Sequence, residues 1–181
     1  MDSIRKKENE DPSKLVQKLM GSTETKPNLA IKNGISLEPH AKKSYVKDMK
    51  KKHKNFKALD SGLAVFKQRP WLASADLEVE CSCCGKGLCE IKCPESVKDM
   101  IPSDKNVSYL ILENGQLTLD KKHEYFYQIQ GQMKILDRHY CDLFVYTYHG
   151  SQCVRVAFDN EFWPTKEEQL NGFGQVTCYQ N

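Results

Sequence analysis

Apolar and polar positions change their rhythm along this chain. In DPSKLVQKLMG, Leu15, Val16 and Leu19 recur at helical spacing between Pro12 and Gly21, which predicts a short helix. The eleven residues ahead of it are mostly polar and are expected to form a disordered arm, with 12–181 as one domain. A second helix is expected from Ser36, with Ser36 as N-cap and Glu38 and Pro39 in the first turn. Leu37, Ala41 and Tyr45 lie along one of its faces, and it runs into the lysine-rich stretch KDMKKKHKNFK.

After Asp60-Ser61-Gly62 the pattern shortens. LAVF, WLASADLEVE and GLCEIKCP read as strands, separated by Gly, Pro and a cysteine-rich turn. YLIL-ENG-QLTL reads as a hairpin, KKHEYFYQIQGQMKILDR as a helix, and CDLFVYTYHG with QCVRVAFD as a second hairpin. The tail reads as a helix of weak period. This order predicts an α/β domain with a central mixed β-sheet flanked by helices.

Composition narrows the class. With 39% hydrophobic and 28% charged residues among 181, the chain can build a core and remain soluble. Its net charge of +3 permits a polyanionic partner without requiring one. No run approaches the roughly 20 apolar residues of a membrane span. The opening MDSIRKKENEDPSK lacks the apolar core of a signal peptide. The eight cysteines are therefore expected as reduced thiols or metal ligands, in a nuclear or cytoplasmic setting.

One strand carries candidate chemistry. In GLCEIKCP, Glu90 and Lys92 fall on one face, roughly 6.5–7 Å apart, while Cys89, Ile91 and Cys93 take the other. A hairpin turning near Cys83 would set Asp76 opposite Glu90. Two carboxylates that close repel unless a cation lies between them, and oxygen donors suit Mg²⁺ or Mn²⁺. An exposed Glu-x-Lys is by itself commonplace; the opposed aspartate is what raises its interest.

The succession LEPHAKKSYVKDM, PWLASAD, GKGLCEIKCP, YFYQIQGQM and CDLFVYTY resembles the YqaJ viral recombinase family, the phage-lambda-type exonuclease branch of the PD-(D/E)xK nucleases. The resemblance runs from about Lys14 to Phe173 and implies a restriction-endonuclease-like core. It implies metal ligands at Asp76, Glu90, the Ile91 carbonyl and Glu38, with Lys92 as the catalytic lysine beside Asp76 and Glu90. Ser74 opens the segment matching the family's S-P-D-G. Gln130 falls on the inward helix face of Phe126, Ile129, Met133 and Leu136, and so corresponds to the family's motif glutamine. A buried glutamine bonded to backbone is the alternative there. Gln128 and Tyr127 are candidates for lining the DNA groove or the surface. The implied activity is Mg²⁺- or Mn²⁺-dependent exonucleolytic hydrolysis of duplex DNA ends, in recombination or repair of viral or mobile-element type. A homo-oligomer and a recombination partner are compatible with it.

Some segments depart from that pattern. S-P-D-G is here Ser74-Ala75-Asp76-Leu77, and the W-G before the helix glutamate is Asn33-Gly34. The family's opening helix, with its Arg and Ser/Thr for DNA phosphate, has no counterpart, so an N-terminally shortened copy is expected. A rival class is a catalytically weak relative that binds DNA or a partner. Cys81-Ser82-Cys83-Cys84-Gly85-Lys86 also resembles a zinc knuckle, but two further ligands are needed. Cys89 and Cys93 stand too far apart to serve together. His40, His53, His123, His139 and His149 show no ligand spacing. The lysines from Lys47 to Lys57 read equally as a DNA-phosphate contact or a solvated helix end.

Overall fold

The computed structural model describes residues 29–65 and 72–162. The expected N-terminal arm, the helix over 12–21 and the tail helix lie outside them, apart from the tail's first residues. Contacts divide the chain into 1–32 and 33–181; of the first unit only the opening turn of a helix is described. Among the described residues no helix is long and apolar enough to cross a membrane.

That helix, α1 (Leu29–Lys52), begins seven residues before Ser36, and Pro39 lies inside it rather than in its first turn. Proline removes one backbone donor but does not forbid a helix whose face is well packed. Here Leu37, Ala41, Tyr45 and Met49 are all buried, extending the expected stripe by another turn. The lysine-rich stretch also ends differently from expectation. The helix stops at Lys52, and β1 (Lys57–Asp60) follows as an edge strand that the charged pattern concealed.

Short strands β2 (Ala64–Val65) and β3 (Leu72–Ala73) pair with each other. Then β4 (Leu77–Cys81) and β5 (Gly85–Lys92) form a hairpin, with Leu77 opposite Cys89 and Cys81 opposite Gly85. Gly85 adopts φ +74°, open to glycine at little cost. The Tyr140 ring fills the space a side chain at Gly87 would need, so GKG is a packing requirement as well as a turn. A second hairpin, β6 (Leu110–Glu113) and β7 (Gln116–Leu119), turns on Asn114-Gly115, both at positive φ.

Helix α2 (Glu124–Leu136) is capped by the His123 ring, which accepts from the Tyr125 amide at 3.2 Å, and ends at Asp137 with φ 54°. Strands β8 (Tyr140–Thr147) and β9 (Gly150–Ala157) complete a five-stranded sheet of order β1-β4-β5-β8-β9. All its pairings are antiparallel except β5 with β8, which is the expected mixed sheet.

The sheet separates two apolar clusters. On one face Ala41, Tyr45 and Met49 of α1 meet Leu77, Val79, Cys81, Cys89, Ile91 and Phe144. On the other, Phe126, Ile129 and Met133 of α2 meet Leu88, Cys141, Leu143, Val145 and Val154. Each fully buried side chain of this size contributes roughly 1.5–3 kcal/mol, so both helices are fixed against the sheet. Along β5 the alternation sends Leu88, Glu90 and Lys92 toward α2.

Candidate active site

The β4–β5 register sets the site. Leu77 pairs with Cys89, so Asp76 and Glu90 follow as the next opposed positions, where the hairpin opens. Asp76 Oδ2 accepts from the Ile91 amide at 2.6 Å, which ties its carboxylate to β5. Glu90 is 5% exposed, an unusual depth for an acid, and both of its oxygens are engaged. Its Oε1 accepts from Lys92 Nζ and from Gln128 Nε2, each at 2.7 Å. Its Oε2 accepts from Gln132 Nε2 at 2.9 Å, and the same amide donates to the Ser74 carbonyl at 2.7 Å. Lys92 Nζ stands 4.3 Å from the centre of the Tyr125 ring.

Electrostatics at this end are strained. Burial, and after it the Glu90 charge, pushes the Asp76 carboxyl up to about 6. Glu38 adds in the same direction, while the Ile91 amide and Lys92 pull downward. Two acids at the mouth of one hairpin thus share more negative charge than their surroundings neutralise.

Of the candidate residues, Asp76, Glu90, Lys92 and Gln128 come together, and the Ser74 carbonyl joins them through Gln132. Glu38 forms an ion pair with Lys42 at 3.0 Å, while Lys42 also meets Asp60 at 2.8 Å; its charge nonetheless reaches Asp76. Ile91 contributes its amide to Asp76.

Gln130 is elsewhere. Its Nε2 donates to the Ala157 carbonyl at 2.8 Å and its Oε1 accepts from the Asp159 amide at 2.9 Å, so it fastens α2 to the end of β9. It is inward-facing, as expected, but inward at this position means toward β9. Tyr127, 40% exposed, packs edge-on against Phe162 at 5.1 Å. The residue the pattern did not single out is Gln132. Tyr125, Gln128 and Gln132 fall at i, i+3 and i+7, one stripe of a helix, and that spacing was the available signal. It was hidden because the stripe is polar and flanks the apolar face.

The donors at this site are oxygens, the set a hard divalent cation takes. With its amide nitrogen committed to two acceptors, Gln132 leaves a buried Oε1 without a partner beside Glu90. The raised Asp76 carboxyl and that orphaned oxygen both fit a cation held here.

Comparison with known proteins gives two kinds of similarity. A model of the YqaJ-like viral recombinase domain matches residues 5–139. Among solved structures, an alkaline exonuclease (LHK-Exo) from Laribacter hongkongensis superposes with a TM-score of 0.65 at 26% identity, covering 90% of this chain and 74% of that one. LHK-Exo in complex with dAMP gives the same values. No curated protein matches.

Proposed function

The chain belongs to the YqaJ-like viral recombinase domain family, and from that premise we propose that it is a metal-dependent deoxyribonuclease acting on the ends of duplex DNA, in recombination or repair of viral or mobile-element type. The observation that carries this reading is Glu90 and Lys92, 2.7 Å apart on one strand face, with Asp76 opposite them. The alkaline exonuclease similarity supports cleavage from an end, and the dAMP held by LHK-Exo supports a mononucleotide product.

Asp76, Glu90, Glu38 and the Ile91 carbonyl would hold Mg²⁺ or Mn²⁺, which when bound polarises the scissile phosphate and lowers the pKa of water. The remaining work falls to the chain. Lys92 orients the attacking water and stabilises the charge that develops on the phosphate as the new P–O bond forms and the ester P–O bond breaks. Gln128 and Gln132 hold the Glu90 carboxylate in one orientation, and the Tyr125 ring limits the travel of the Lys92 ammonium. The amide of Ile91 keeps Asp76 against β5.

The test is digestion of linear, 5′-phosphorylated duplex with Mg²⁺ or Mn²⁺, beside EDTA and a Lys92→Ala control. Metal-dependent release of nucleotides, lost in both controls, is expected. Intact DNA after incubation with folded protein would sink the nuclease reading and leave a DNA- or partner-binding module.

A further inference from the structure

The turn of the same hairpin gathers a second set of ligands. His53, just past the end of α1, places Nδ1 3.1 Å from Cys83 Sγ, 3.6 Å from Cys81 Sγ and 3.6 Å from Cys84 Sγ. The sulfurs of Cys81 and Cys83 lie 3.4 Å apart, and those of Cys83 and Cys84 3.8 Å apart. All four ligand atoms fall within 4.8 Å of one another. A tetrahedron with Zn–S near 2.3 Å and Zn–N near 2.0–2.1 Å has S···S edges of about 3.8 Å and S···N edges of about 3.6 Å. Five of the six edges lie within about 0.5 Å of these values, and the sixth, between Cys81 and Cys84, is no longer than 4.8 Å. Sequence spacing concealed it, because His53 is 28 residues from Cys81 and is delivered by the fold.

The surroundings treat these sulfurs as acceptors. The Cys84 amide points at Cys81 Sγ at 3.3 Å, and Arg155 Nη1, which can only donate, meets Cys84 Sγ at 3.3 Å. Arg155 also binds Asp142 through Nε at 2.8 Å and Nη2 at 3.1 Å, and Asp142 accepts from Tyr45 at 2.8 Å. Three thiolates and a neutral imidazole around Zn²⁺ leave one negative charge, and a guanidinium stands ready beside it. The loop is fixed independently: the Ser82 amide donates to the Lys54 carbonyl at 2.9 Å, and Asn55 to the Ser82 hydroxyl at 3.0 Å.

We propose that His53, Cys81, Cys83 and Cys84 form a structural zinc site that staples the end of α1 to the β4–β5 turn. All four positions are filled by protein, which leaves no open coordination for catalysis. The site lies at the far end of β4 from Asp76, about 17 Å along the strand. Its role is to fix the hairpin whose other end presents the carboxylates. This inference stands whether or not the chain cleaves DNA.

The experiment is elemental analysis of the full chain purified from zinc-supplemented cells, with thiol titration before and after a strong chelator. About one zinc per chain and three thiols released by the chelator are expected. Cys83→Ser and His53→Ala should each weaken zinc binding by at least about 100-fold, as loss of a direct ligand exceeds the 10–100-fold effect of outer partners. His53→Cys should retain zinc, and Asp76→Asn with Glu90→Gln should retain it too. Folded wild-type protein without zinc and with all three thiols reactive would overturn the proposal. Zinc that left with Asp76 and Glu90 rather than with the turn residues would do the same.

Discussion

The two ends of the β4–β5 hairpin make opposite use of one register. At the closed end, soft donors crowd together among the tail of α1, the turn itself and Arg155, which reaches Cys84 from 71 residues further along the chain. At the open end, hard donors face each other; the neutralising cation is Lys92 of β5 itself, and the amides that hold Glu90 come from α2, some forty residues further along the chain. The closed end collects groups that a metal would lock. The open end leaves Asp76 with a raised pKa and Gln132 with an unpartnered oxygen, an arrangement that costs the fold stability. Alternation along β5 keeps the two uses apart, sending Glu90 and Lys92 toward α2 and Cys89 and Ile91 toward α1.

The hardest blow to the open end is Lys92→Ala. Removing one positioned cation from developing charge should lower the cleavage rate by about 10²–10³-fold, with the far-ultraviolet circular dichroism unchanged. If the rate stays within a few fold of the parent, Lys92 is only a partner for Glu90.

The counterpart on the α1 face is Asp142→Ala. Asp142 is 2% exposed and takes hydrogen bonds from Tyr45 and Arg155. Its loss leaves a buried hydroxyl and a half-exposed guanidinium without their acceptor. We expect a stability loss of about 2–3 kcal/mol in urea unfolding. Nuclease activity of the protein that remains folded should persist, which separates this face from the other.

Acidity sharpens the contrast. The Asp76 carboxyl rises from 3.8 to about 6 on folding, so between those values the folded state holds more proton than the unfolded one. Stability of the metal-free protein should therefore fall as pH climbs through that window and level off above it. Discounted for partial exposure, the fall is about 1–2 kcal/mol. Thermal melts in EDTA at pH 4.5 and 7.5 would read it. Asp76→Asn should erase the dependence and, at pH 7.5, melt higher than the parent. A dependence that survives the substitution would place its source elsewhere.

What the sequence disclosed follows from the range of the interactions involved. The hairpin over Cys83 was legible because its symmetry is local: alternation and one turn set Asp76 against Glu90. The mixed sheet was legible from the order of periods, and β5 beside β8 makes it mixed. The strand Lys57–Asp60 was not, because an edge strand with mostly exposed side chains carries no apolar alternation. The early start of α1 was masked by Pro39, a residue usually found in a first turn. His53 beside the cysteines was out of reach, since nothing local ties a helix end to a turn near thirty residues later.

The finest point is the division of labour among the three glutamines of α2. Gln128 and Gln132 touch Glu90, whereas Gln130 holds Ala157 and Asp159 of the polypeptide beyond β8. Gln130→Ala empties a fully buried position and strands one backbone acceptor and one donor. It should cost about 1–3 kcal/mol in unfolding while leaving the cleavage rate of folded protein near that of the parent. Gln128→Ala should do the reverse. Its side chain is exposed, so stability should shift by no more than about 0.5 kcal/mol. Glu90, however, loses one of the two donors at Oε1 and gains freedom to turn, and a cleavage loss of roughly tenfold is expected from misplacement alone. Measuring both quantities on both variants decides the assignment. If Gln130→Ala slows cleavage as much as Gln128→Ala at equal stability, α2 acts on the site through its position as a whole, and the separate roles given to its glutamines fail.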